Sequence, residues 1–179
     1  MTWTSTSEPY LTPPAPGEPD AWTRQSKGRG GQRLLAAGEQ PASPDVAEAL
    51  RLEPGATVVY RSRLILLDDE PIEIVTSHWP LAIASGTALA EPKPVKGGTI
   101  RLLADLGWTA TRSVDELSAE AADETWAPTV EPGTVLLVIR RTLLTQSDAP
   151  FEYTVMASWT GQRQRYVLET PTPTQAEKP

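Results

Sequence analysis

Three observations in the sequence predict an α+β domain, an antiparallel sheet of about six strands with short helices. A strand–turn–strand unit occurs twice, helix-start signals stand between the strands, and proline-rich segments bracket the whole. The duplication is the clearest. Glu53-Pro54-Gly55 precedes Thr57-Val58-Val59-Tyr60-Arg61-Ser62-Arg63-Leu64-Ile65-Leu66-Leu67, and Glu131-Pro132-Gly133 precedes Val135-Leu136-Leu137-Val138-Ile139-Arg140-Arg141-Thr142-Leu143-Leu144. The likeness continues through Asp68-Asp69-Glu70-Pro71-Ile72-Glu73-Ile74 and Ser147-Asp148-Ala149-Pro150-Phe151-Glu152-Tyr153, and the units close on Trp79 and Trp159. β-Branched, apolar-rich runs either side of a polar turn are hairpins. Two copies are too few to stack as a solenoid, so they predict two hairpins joined in one pseudo-symmetric sheet.

The helices follow from their starts. Ser43 is an N-cap with Pro44 at the first helical position, and Val46, Ala49 and Leu50 fall at helical spacing, which predicts a short helix over Pro44–Leu50. Ala119–Trp126 occupies the same place before the second hairpin and is expected to be its counterpart. Another helix is predicted over Thr99–Leu106, opened by Gly97-Gly98 and stopped by Gly107, with Ile100, Leu103 and Leu106 as its buried stripe. Strands through Trp108–Leu117 and around Gln32–Ala37 complete the sheet. Residues 1–20, with Pro9, Pro13, Pro14, Pro16 and Pro19 and few large apolar groups, read as a disordered linker, and residues 170–179 as a disordered tail. One domain, 21–169, lies between them.

Composition excludes several functions. The chain has 179 residues, 39% of them hydrophobic, no cysteine and one histidine, so disulfides and thiolate metal sites are absent and a transition-metal centre is not expected. Sixteen Lys and Arg stand against 23 Asp and Glu, a net charge of −7, the reverse of what phosphate neutralisation on nucleic acid needs. No signal-peptide run or membrane-length apolar stretch occurs, which predicts a cytoplasmic protein without membrane contact.

Arg61 and Arg63, two apart, share one face of their strand, and Tyr60, Ser62 and Leu64 share the other. Two guanidiniums on one face suit a carboxylate or phosphate; a solvated face, or pairing with Glu73 or Glu152, is the structural alternative. Gly97-Gly98-Thr99 offers free N–H groups at a helix start with Lys93 and Lys96 nearby, against a plain turn with Thr99 as cap. Ser77 and His78, adjacent on a strand, face opposite ways, so a structural role is expected for His78. Asp68-Asp69-Glu70 lacks the glycine and the ligand spacing of a calcium loop and reads as a turn.

The order of LDDEPIEIVTSHWP, GGTIRLLADLG, PGTVLLVIRRTLLTQSDAPFEYTVMASW and QRYVLE resembles the UTRA domain, the ligand-sensing half of HutC-type GntR transcription regulators, from about Ala21 to Glu169. The resemblance implies a chorismate-lyase-like fold, a homodimer, a small-molecule effector in a pocket over the sheet, no cofactor and no enzyme activity. It also implies that DNA is reached only through a winged-helix partner, because the sequence starts inside the family's linker; a free-standing sensor and a truncated regulator both fit. Under the resemblance Arg61 and Arg63 take the place of an Arg-x-Arg that binds ligand, Thr99 and Arg101 match contact positions, Glu152 matches an acidic contact, and Trp22 and Thr23 match the segment across the pocket. Three positions depart from the family's sugar-phosphate sensors: Val75 replaces a carboxylate, Arg101 an aromatic residue and Ser158 a tyrosine. The expected ligand is therefore an anionic metabolite, held by Arg61, Arg63, Thr99, Arg101, Glu152, Thr23 and Ser158, and not an amino-sugar phosphate. The alternative is an enzyme resembling chorismate lyase, with Arg61 and Glu152 as its best catalytic candidates.

Overall fold

In the computed structural model, which describes residues 3–15, 17–126, 129–159 and 161–167, both duplicated units fold as hairpins. The first pairs β3 (Thr57–Leu67) with β4 (Glu70–Pro80), and the second pairs β6 (Val135–Leu144) with β7 (Pro150–Ser158). Flanked by β2 (Gly30–Pro41) and β5 (Arg112–Ala121), they form one six-stranded sheet in the order β2-β3-β4-β7-β6-β5. Every pairing in it is antiparallel, and the two halves meet where β4 runs beside β7. The first hairpin turns on Asp68 and Asp69, whose φ values of 53° and 64° are the paired left-handed conformations that a two-residue turn between twisted strands requires.

The register makes the duplication structural. Arg63 faces Val75 in the first hairpin and Arg141 faces Thr154 in the second, so Arg63 and Arg141 occupy equivalent positions. On the neighbouring outer strands Leu34 faces Arg63 and Asp115 faces Arg141. One equivalent arginine thus stands beside an apolar residue and the other beside a carboxylate.

One sheet face is sealed by α2 (Pro44–Ala49), where Ser43 Oγ accepts from the Val46 N–H and Val46, Ala47 and Leu50 pack on Val58 and Tyr153. Leu64, Ile74, Leu136, Val138 and Ala157 continue that layer against Ala122 and Val130. Over the opposite face lie α1 (Ala21–Gln25), α3 (Leu81–Ala84), α4 (Thr99–Asp105) and the segment between the last two. Their core gathers Val59, Trp79, Ala84, Leu89, Leu103, Leu143 and Phe151. Trp79 is fully buried there; removing an aromatic of this size from water is worth about 4–6 kcal/mol. Gly30 is held by close approach, since a Cβ on it would lie 2.3 Å from Trp22 Nε1.

The structure departs from the sequence reading in three places. The segment read as linker carries structure among its described residues: β1 (Trp3–Thr6) pairs in parallel with β8 (Gln162–Arg165), and a 3-10 turn follows at Glu8–Tyr10. Trp3 supplies the apolar surface for this, edge-on to Trp22 with ring centroids 5.4 Å apart. Ala119–Trp126 is not a helix: β5 runs to Ala121 because Ala119, Glu120 and Ala121 find partners in Leu137, Leu136 and Val135, and only Glu124–Trp126 makes a 3-10 turn. Leu106 is 43% exposed, because α4 ends at Asp105 and leaves it as the C-cap. The tail, 170–179, lies outside the described residues.

Candidate effector site

Side chains alternate across the sheet, so Arg61, Arg63, Glu73, Val75, Ser77, Arg141, Thr154 and Met156 share the face beneath α1 and α4. A cavity of about 380 Å³ opens there, roofed by Trp22, Thr23, Gly97, Gly98 and Thr99 and by Trp3, Ser5 and Tyr10 from the first residues. That volume suits a small metabolite.

Arg61 and Arg63 both line the cavity, but they are bound differently. Arg61 is 2% exposed, and its Nη1 donates to the carbonyls of Ala88 (3.2 Å), Leu89 (3.1 Å) and Glu91 (2.7 Å), its Nη2 to that of Lys93 (2.8 Å). It ties the segment after α3 to the sheet, a role the strand pattern does not reveal. Among the described residues Arg63 makes one hydrogen bond, from Nη2 to Ser77 Oγ at 3.4 Å, and its Nε, like that of Arg61, is buried without a partner. Burial pushes its pKa below the ordinary arginine value, and the charges of Glu152, Glu73 and Asp20 oppose this; a guanidinium stays protonated throughout. Its equivalent, Arg141, is paired: Nε and Nη2 donate to Asp115 at 2.8 and 2.6 Å. Burial would raise the Asp115 carboxyl, but Arg141, Ser113 and Tyr166 hold it well below the usual carboxylate range.

Glu152 is buried in the cavity wall. Trp79 Nε1 donates to its Oε2 at 3.0 Å, and Thr154 Oγ1 lies 2.9 Å from its Oε1 and 2.9 Å from Ser77 Oγ. A hydroxyl carries one proton, so the row is satisfied when Arg63 donates to Ser77, Ser77 to Thr154 and Thr154 to Glu152. A continuous relay thus joins the cation to the carboxylate across the cavity floor. Glu73 faces the same space from β4; Ser158 Oγ (2.7 Å) and Gln162 Nε2 (3.0 Å) both donate to its Oε2. Burial raises its pKa, against those two hydrogen bonds and the charges of Arg141 and Arg63.

Of the residues expected at the site, Arg61, Arg63, Thr23, Thr99 and Glu152 line the cavity. Thr23 donates its N–H and its hydroxyl to Asp20, the N-cap of α1, each at 3.0 Å. Thr99 is the first residue of α4 rather than its cap; Gly98, at φ 85°, takes that position. Arg101 and Ser158 are not in the cavity wall. Arg101 turns away to Asp105, four residues on along its own helix (2.7 Å), and to the Pro14 carbonyl, and Ser158 sits behind Glu73 as its donor. Lys93 and Lys96 also stay outside the wall, Lys93 paired with Glu91. Trp22 both lines the cavity and belongs to the core, its Nε1 donating to the Gly31 carbonyl at 3.1 Å. His78 lies on the opposite sheet face beside Tyr153 and takes no part.

Ser77, Thr154, Asp20 and Tyr10 line the cavity without having been proposed for the ligand, and Glu73 was expected there only as a pairing partner of the arginines. The duplication held a signal for one of them, since Glu73 answers Glu152. Tyr10, whose hydroxyl donates to Gln25 Oε1 at 2.9 Å and is raised by burial above the ordinary tyrosine value, lay in the segment read as linker. Among the described residues no His, Cys, Asp and Glu cluster is able to hold a metal, and no helix is long and apolar enough to cross a membrane.

A cavity floored by polar strand residues and roofed by short helices defines a small-molecule effector-binding domain. The UTRA domain family model matches residues 26–158, and the chain belongs to that family. Among solved structures it is similar to the ligand-binding domain of a protein described as a GntR-family transcriptional regulator from Bordetella bronchiseptica, at 29% identity and TM-score 0.70 over 79% of this chain and 92% of that one. It is also similar to the effector domain of PhnF from Mycobacterium smegmatis, at 20% identity and TM-score 0.71 over 83% and 94% of the two chains, and the YurK C-terminal domain of Bacillus subtilis has the same fold at TM-score 0.67 and 22% identity, over 75% and 95%. No curated protein sequence matches the chain. The six-stranded fold is that of GntR effector domains, and the chain is an effector-binding regulatory domain.

Proposed function

We propose that the cavity binds a small anionic metabolite through Arg63, as the cytoplasmic sensing module of a HutC-type regulator that acts as a homodimer and reaches DNA through winged-helix domains. One observation carries the ligand assignment. Of the three arginines that line the cavity, Arg63 has the fewest partners among the described residues, a single 3.4 Å hydrogen bond to Ser77, while Arg141 at the equivalent position is paired with Asp115 and Arg61 is held by four carbonyls. Arg63 is half-buried with its Nε enclosed, and so few acceptors around a guanidinium favour a ligand that brings one. Binding rather than catalysis is supported by Ser77, whose oxygen meets Arg63 and Thr154 and no histidine or carboxylate base.

The test is a thermal-shift screen of phosphorylated sugars, carboxylic acids and nucleotides on the wild type and on Arg63→Met. A ligand at ~100 times its Kd adds about 2.7 kcal/mol, a rise of several degrees in Tm for a domain of this size. Arg63→Met keeps the aliphatic stem and removes the charge, and it is expected to fold and to lose most of the shift. A variant that responds as fully as the wild type would overturn the assignment. Product formation from chorismate would overturn the non-enzymatic reading.

A further inference from the structure

We propose that the effector also carries a protonated amine, which binds the Glu73 carboxylate, so that the ligand is a small zwitterion of the amino-acid type. This rests on the reading of Arg63 as the anion-binding residue. Among the carboxylates that line the cavity, one keeps an oxygen that accepts no hydrogen bond. Arg141 pairs with Asp115, Asp20 accepts from Thr23 on both of its oxygens, and Glu152 accepts on both of its own, from Trp79 and Thr154. Glu73 is left. Its two donors, Ser158 and Gln162, are neutral and both address Oε2; among the described residues no cation pairs with it, and Oε1 accepts no hydrogen bond.

A half-buried carboxylate that lines the cavity with one oxygen free of hydrogen bonds suits a donor, by preference a charged one. The register sets the distance. Arg63 faces Val75, and Glu73 is two residues further along β4 on the same face, a diagonal relation of roughly 7–8 Å between backbones. A carboxylate and an ammonium a few methylenes apart span the two side chains.

The experiment uses the full chain and titrates α- and ω-amino acids of graded length by calorimetry. Each is paired with the carboxylic acid lacking its amine and the amine lacking its carboxylate. At least one amino acid is expected to bind with its two truncated counterparts weaker by about tenfold or more. Glu73→Gln, which retains an acceptor for Ser158 and Gln162, is expected to abolish that preference while the simple acid, freed of a nearby negative charge, binds at least as tightly. The inference is overturned if no amino acid surpasses its acid counterpart, whether both bind or neither does, or if Glu73→Gln leaves the preference intact. Acids or phosphates that bind without regard to an amine, yet depend on Arg63, sink the zwitterion alone. Binding indifferent to Arg63→Met sinks the anion reading with it.

Discussion

A buried guanidinium has five N–H donors to place, and Arg61 places four hydrogen bonds on the carbonyls of residues 88–93. Truncating it leaves those carbonyls to find other donors inside a packed layer. Arg61→Ala is therefore expected to cost about 2–4 kcal/mol of stability, read from denaturant unfolding, and to speed amide exchange in residues 87–95 before that of the sheet. A stability loss below about 0.5 kcal/mol would show that this anchor is dispensable. Arg63, two residues away, is expected to behave in the opposite way, with little loss of stability and loss of ligand response. Which face the two arginines share was legible from strand alternation alone. Their division of labour was not, because it depends on a segment that approaches Arg61 from about thirty residues downstream and on Leu34 standing where Asp115 stands in the other half. Arg101 shows the same limit, since a matching position in the sequence did not determine which way a long side chain would turn.

Among the elements, the repeated hairpins were legible because β-branched runs and a polar turn recur with few changes, and pairing then fixes both faces. β1 and β8 were not legible, being four residues each and stable only through one another and what lies beneath. What lies beneath is polar: Ser7 Oγ donates to Asp115 Oδ2 (3.0 Å), accepts from Gln164 Nε2 (2.9 Å) and meets Arg141, while Tyr166 donates to Asp115 at 2.9 Å. The Asp115–Arg141 pair thus fastens the two-stranded ribbon to the sheet. Because the folded pKa of Asp115 is depressed, its contribution is present above the unfolded carboxyl value of ~3.9 and is lost as pH falls through the folded value. Acidification below about pH 4 is expected to open the ribbon before the sheet, and Asp115→Asn to open it at neutral pH. Amide exchange at Trp3–Thr6 and Gln162–Arg165 should then rise on the order of tenfold to a hundredfold, with the centre of β4 and β7 unchanged. Equal acceleration across both sheets would argue against a local fastening.

At the scale of the whole molecule, net charge and symmetry carry the expectations. A net charge of −7 gives no electrostatic footprint for phosphates, so the 179-residue chain is expected to produce no salt-resistant shift of a promoter fragment. Light scattering at micromolar concentration is expected to give about twice 19.4 kDa, twofold pairing being the commonest closed assembly; a mass of one chain would refute the homodimer. The ribbon over the cavity has a further, mechanical consequence. β1 and β8 run in parallel with Trp3 opposite Gln162 and Thr6 opposite Arg165, so the chain enters the ribbon at one end and leaves it at the other. Tension between the entering and departing chain loads all four paired positions together, in shear, instead of peeling them one at a time. A pull transmitted along the backbone from outside the domain is therefore borne first by the roof of the cavity, and a ligand that strengthens that roof changes how much force the chain ends withstand.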